Sequence, residues 1–211
     1  MASINYTSHA SQIGFQVKNM LEDQSYAARF PNRYWMTLSA DKATLSKWEA
    51  QATMEGKTLS QVWEEHIRTY LERMAVINKA NLICIYGIDG LHSFHVVILC
   101  DQLITRENWL INWTHAKASW MNRESSRRVF GKMCERYDED KNGIPYIFHH
   151  HSPYVSYIRH RKRSGRKDLP IVIEIKELIK RCNSTSPYYP FSTERAEEAP
   201  TEIVSFVKSK K

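Results

Sequence analysis

The chain has no apolar run approaching the roughly 18 residues that a membrane-crossing helix needs. Its first residues, Met1 to Phe15, lack a charged start followed by a long apolar block, so no secretory leader is visible. None of the four cysteines, Cys84, Cys100, Cys134 and Cys182, forms a C-x-x-C pair, and three lie in apolar stretches. That excludes a zinc knuckle and a disulfide frame and suits reduced, buried thiols in a cytoplasmic protein. No internal repeat occurs, and no Gly-rich Lys-Ser/Thr phosphate loop, which excludes an appended helicase motor.

What is present is a basic chain with enough apolar residues for a core. The 211 residues include 42% hydrophobic side chains, and the formal charge is +7. One domain with terminal extensions fits this length. The excess positive charge favours polyanionic partners, above all nucleic acid, over a generic basic surface.

Residues 1–31 show no clean period and read as an N-terminal arm. From Arg33 to Leu38 an aromatic-rich strand is expected, bounded by turn residues. Thr44 to Met54 reads as a short helix ending near Gly56. Thr58 and Gln61 then have capping-box spacing and open the best helix in the chain. There Trp63, Ile67, Tyr70, Leu71, Met74 and Ile77 recur at three-to-four spacing, a stripe made for core contact. Leu82 to Tyr86 and Phe94 to Cys100 are apolar runs around Asp89-Gly90, a strong hairpin signal.

Thr105 caps a helix expected to carry Trp109, Leu110, Trp113, Ala116 and Trp120 on one face. Val129 to Cys134 reads as a strand, and Asp138 to Gly143 as a turn. Pro145 suits the first position of a further helix. Tyr154 to Ile158 completes the unit as a last strand. The order β-α-β-β-α-β-(α)-β predicts an α+β domain over residues 32–160: an antiparallel sheet with helices mainly on one face. Residues 161–211 read as a basic linker and C-terminal extension, holding a short apolar element from Ile171 to Ile179.

Three segments bear chemistry. His92 and His95 enter a central strand just after the acidic turn at Asp89. Neutral imidazoles beside a carboxylate are good ligands for a divalent cation, whereas a solvated His92 and a core-bonded His95 are the plain alternative. Tyr146 sits early on its helix, with His149 and His150 three and four residues on and sharing its face. A phenol there could attack phosphorus, but a group titrating near about 10 is mostly protonated at neutral pH and needs help from a base or a cation. The run His149 to His151 could also be a metal site of its own. Arg159, Arg161, Lys162, Arg163, Arg166 and Lys167 form a basic cluster suited to phosphates, or else a solvated linker.

In order and spacing these segments resemble the HUH endonucleases, especially rolling-circle replication initiators. That superfamily is named for a His-hydrophobe-His strand. Tyr34 to Leu38 looks like its aromatic-Thr-Leu strand, His92 to Leu99 like its histidine strand, and Tyr137 to His149 like its turn and tyrosine helix. The resemblance spans roughly Arg33 to Arg159. It implies a palm or RRM-like nuclease core and a metal-dependent DNA nickase. Mg²⁺ or Mn²⁺ would be held by His95, His92 and Asp89, with Tyr146 as nucleophile and His149 as its catalytic partner. The substrate would be single-stranded or hairpin DNA at a replication origin, with a host helicase or polymerase acting downstream, and the product a 5′-phosphotyrosine link.

Two departures stand out. The family's histidines are separated by one residue, whereas His92 and His95 are separated by two, so strict alternation pairs His95 with Ser93 unless a bulge there restores His92. His149 stands where the family usually has lysine. Tyr154, in a second Tyr-Val-x-Tyr context, is the reserve nucleophile, although Tyr154 and Tyr157 should face opposite sides of a strand. A transposase or mobilisation relaxase would share this chemistry. A basic nucleic-acid-binding protein without catalysis is the reading from another class.

Overall fold

The computed structural model describes residues 8–89, 93–116, 132–161 and 168–185. Five strands form one sheet: β1 (Asn32–Ser39), β2 (Leu82–Asp89), β3 (Ser93–Cys100), β4 (Lys132–Arg136) and β5 (Pro153–Ile158). Their order is β4-β1-β3-β2-β5, and every neighbouring pair is antiparallel. The α+β class and the antiparallel sheet expected from the sequence are therefore what the chain adopts. β1 and β2 are joined through α3 (Lys42–Glu55) and α4 (Leu59–Ile77), and β3 and β4 through a segment that contains α5 (Arg106–Asn112). The first four strands thus interleave as a split βαβ pair.

Local chemistry sets the helix ends. Asp41 caps α3 by accepting from the Thr44 N–H at 2.9 Å, and Gly56, at φ 63°, closes it in the left-handed region. The capping box of Thr58 and Gln61 forms as expected. The α4 stripe of Trp63, Ile67, Tyr70, Leu71 and Met74 is buried on the sheet, whereas Ile77, expected to continue it, is exposed at the helix end. Burying each such side chain contributes roughly 1.5–3 kcal/mol. The Tyr70 hydroxyl, carried inward with the stripe, donates to the Trp109 carbonyl at 2.7 Å.

Helices lie on both faces of the sheet, not mainly on one. Tyr34, Met36, Phe94, Val96 and Ile98 pack under α3, α4 and α5. Ile83, Ile85, Val97 and Leu99 pack under α1 (His9–Glu22), α6 (Gly143–His150) and α7 (Pro170–Thr185). The unbroken apolar runs of β2 and β3 are the physical reason, because strands covered on both faces lose the apolar–polar alternation.

The described part of the N-terminal segment, from Ser8 on, is not an arm. Residues 9–29 form α1 and α2 (Gln24–Arg29), and α1 buries Ile13, Val17 and Leu21 in the second core. Nor is the region after residue 160 only linker. The apolar element around Ile171 is a 16-residue helix, α7, whose Ile171, Val172 and Ile175 join that core. Two other boundaries shift. α5 ends at Asn112, although Trp113 and Ala116 stay buried, and β4 runs to Arg136. Trp120 and Val129 lie outside the described residues. No helix among the described residues is long and apolar enough to cross a membrane.

Candidate active site

On β1 the side chains alternate. Tyr34, Met36 and Leu38 enter the first core, which leaves Trp35 and Thr37 on the opposite face. On β3 Phe94 and Val96 share the first core, so His95 stands with Trp35 and Thr37. Thr37 and His95 are direct cross-strand partners, and the Thr37 hydroxyl lies 2.9 Å from His95 Nδ1. The Trp35 ring lies nearly parallel to the His95 ring, with centroids 5.5 Å apart.

α6 crosses above this group. It starts at Asn142, held at φ 53°, with Gly143 next. A Cβ on Gly143 would come within 2.8 Å of the Trp35 ring and 2.9 Å of the Tyr137 ring, so only glycine lets the helix start this close to the sheet. Pro145 follows in the first turn, and Ile144, Ile147 and Phe148 anchor the helix in the second core. Tyr146 then falls, half-buried, over the site. Its ring centroid is 5.5 Å from that of His95 and 6.0 Å from that of Trp35, edge-on to both. Tyr146 and His95, far apart in sequence, thus meet on one sheet face.

Beside them a cleft of about 280 Å³ opens. Trp35, Tyr137 and Tyr146 form aromatic walls, and Glu135, Asp138 and Lys141 line the polar side. The Lys141 ammonium stands 3.8 Å from Glu135 and 3.7 Å from Asp138. These exposed pairs stabilise little but balance the charge there.

The other expected residues divide. His149 engages the start of α1: its Nδ1 lies 3.0 Å from both the Ser8 and the Ser11 hydroxyls. Besides His95, the rings of His150, at 4.5 Å, and His151, at 5.7 Å, approach that of Tyr146. A helix turns 3.6 residues per turn, so the i+3 and i+4 positions diverge enough to serve different neighbours. Tyr154 is placed wrongly for a nucleophile. It stacks on Tyr86 at 5.3 Å and packs against the first core, on the sheet face opposite His95, and burial raises its phenol pKa. Tyr157 packs against the other core, as alternation requires.

Within the described part of β3 there is no bulge. Both ladders of β3 run in regular register from Ser93 to Cys100. His92 and the Asp89 side chain lie outside the described residues. Among the described residues, no three His, Cys, Asp or Glu side chains converge to hold a metal ion. The donor chemistry at His95 still fits a divalent cation that takes most of its ligands from phosphate and water, since imidazole nitrogen is present with a hydroxyl partner behind it.

Arg159 and Arg161 follow β5 at the end of the sheet away from His95, and the Arg159 guanidinium lies 5.6 Å from the Tyr157 ring centre. Lys162, Arg163, Arg166 and Lys167 are outside the described residues. The four cysteines are free and buried, and burial pushes the thiols of Cys100 and Cys134 up to about 12, which leaves them inert.

No family model, curated protein or solved structure matches the chain. The functional reading therefore rests on the residues themselves. Sequence reasoning passed over Glu135 and Lys141, and took His151 only as part of a histidine run that could be a metal site of its own. For Glu135 the available signal was the alternation that sets it opposite Trp35.

Proposed function

We propose that the chain is a cytoplasmic replication initiator that nicks single-stranded DNA at an origin and joins itself to the cut end. The observation that carries this reading is the meeting of Tyr146 and His95 beside one open cleft. Two further features support it: the interleaved antiparallel sheet that a palm-like nuclease would have, and the net charge of +7.

DNA phosphate enters beside His95, and a flanking base stacks in the cleft against Trp35 or Tyr137. The Tyr146 phenolic oxygen attacks phosphorus, forming a P–O bond as the bond to the 3′-oxygen breaks. The phenolic proton passes to His150, whose ring lies nearest that of Tyr146, and the departing 3′-oxygen takes a proton from water. The product is a 5′-phosphotyrosine and a free 3′-hydroxyl able to prime a polymerase. A divalent cation at His95, Mg²⁺ or Mn²⁺, supplies neutralisation of the charge that builds on the phosphate oxygens. Thr37 orients the His95 ring, and Trp35 shields it from water. Arg159 and Arg161, with the basic residues after them, bind phosphates farther along the strand.

The test is a covalent protein–DNA adduct on origin-like single-stranded oligonucleotides in Mn²⁺ or Mg²⁺. We expect an adduct from the unaltered chain and none from Tyr146→Phe. Salt-sensitive DNA binding with no adduct on any oligonucleotide would leave a binding protein instead. An adduct that persists in Tyr146→Phe would remove Tyr146 from its role. Adduct formation coupled to replication of a small circular replicon separates an initiator from a transposase or relaxase with the same chemistry.

A further inference from the structure

The register of β3 sets Ser93, a poor ligand, next to His95 in the alternation. A second imidazole reaches the site from another part of the chain. His151, the residue that ends α6, is only 6% exposed, and its backbone N–H donates to the Ile147 carbonyl at 2.9 Å. Its ring centroid lies 5.2 Å from that of His95, and the two ring planes differ by 24°.

Gly87 makes this approach possible. It is the β2 partner of His95, and a Cβ there would stand 2.4 Å from Cβ and 3.0 Å from Cγ of His151. Three separate segments, β2, β3 and the turn after α6, are thus shaped around two imidazoles.

The separation has a chemical meaning. Two imidazole nitrogens bound to one first-row divalent cation at about 2.1 Å place their ring centroids about 5 Å apart at tetrahedral or octahedral angles. Thr37 engages Nδ1 of His95 at 2.9 Å, and its hydroxyl can accept from an Nδ1–H, which leaves Nε2 of His95 as the ligating atom.

We propose that His95 and His151 together form a divalent-cation site, with the second imidazole supplied by the turn after the tyrosine helix rather than by the histidine strand. Two protein nitrogens leave the remaining positions to phosphate oxygens and water, the mode of binding suited to a cation that must hold a phosphate. Tyr146 and His151 belong to one helix and its cap, so the phenol and the cation are held in fixed relation. This assignment rests on the nicking reading for its purpose, but the site can be tested apart from it.

The test is Mn²⁺ titration of the full chain, followed by electron spin resonance, with the bound imidazoles counted from their nitrogen couplings. We expect two couplings in the unaltered protein. His95→Asn and His151→Asn should each leave one and weaken Mn²⁺ affinity by about tenfold or more. His92→Asn should keep both couplings and the affinity. The nitrogen count in the unaltered chain does not depend on how a variant folds, and circular dichroism checks each variant. Unchanged affinity in His151→Asn, loss in His92→Asn instead, or no Mn²⁺ binding at all would overturn the proposal. Two couplings without any DNA adduct would keep the site and end the nicking reading. A normal adduct yield from a folded His151→Asn that binds Mn²⁺ as the unaltered chain does would end the site and keep the reading.

Discussion

At the scale of single residues, orientation matters as much as identity. An imidazole can offer one nitrogen to a cation or phosphate only if the other is held, and the Thr37 hydroxyl is what holds Nδ1 of His95. Thr37 also packs without strain on a strand, where β-branched side chains are favoured. Thr37→Val keeps the shape and removes the bond. We expect it to lower adduct formation by about 10–100-fold, the range seen for outer partners of ligating histidines. Thr37→Ser, which restores the hydroxyl, should recover most of the loss. If Thr37→Val forms adduct at the original rate, His95 is oriented by packing against Trp35 alone.

At the scale of elements, the strands and the central helix were legible because their signals are local. Capping at Thr58, the α4 stripe and the Asp-Gly hairpin each depend on a few neighbouring residues. What was not legible depends on contacts distant in sequence. α1 carries a short apolar stripe of Ile13, Val17 and Leu21, but the face it packs against is set by α6, which it meets at Gly14. A Cβ on Gly14 would come 2.7 Å from the Pro145 Cα and 3.0 Å from the Phe148 Cβ. The candidate site was half legible for the same reason. Tyr146 and His95 follow from motif and alternation, whereas the convergence of His151 over Gly87 and the diversion of His149 to Ser8 and Ser11 depend on how α6 lies on its neighbours.

The α1–α6 contact is testable. Gly14→Ala gains about 1 kcal/mol of helix propensity. It also presses a methyl against backbone that cannot swing aside, and such overpacking costs about 1–3 kcal/mol. The overpacking should prevail, lowering the urea midpoint by an amount that corresponds to about 1 kcal/mol, and adduct formation should fall as α6 shifts over His95. A stabilised Gly14→Ala would show that α1 does not bear on the site.

At the scale of the whole molecule, the sheet separates two chemistries. The second face carries the open cleft. The first carries an aromatic layer in which the half-buried His66 and His115 pack around Trp48, with ring centroids 4.3 Å and 4.9 Å from it. Burial lowers the pKa of both imidazoles, that of His115 to about 4, with the nearby His66 and Arg73 acting in the same direction. Asp41 partly opposes the shift at His115, and Glu65 and Glu55 partly oppose it at His66.

The sign follows from linkage. An unfolded histidine titrates near about 6.5, above the folded value, so in that interval the unfolded chain binds more protons. Stability is therefore full above about pH 6.5, falls as the pH drops towards 4, and loses nothing further from this ring below that. Because the ring is partly exposed, solvent screening reduces the His115 share to on the order of 1–2 kcal/mol. Carboxylates and His66 add their own pH dependence, so the measurement is a difference. His115→Phe keeps an aromatic ring against Trp48 and Trp113 and removes the titration. Thermal midpoints of both chains between pH 4 and 7.5 should diverge by a few degrees, with His115→Phe falling less on acidification. Parallel curves would mean that His115 is as well hydrated in the folded chain as in the unfolded one.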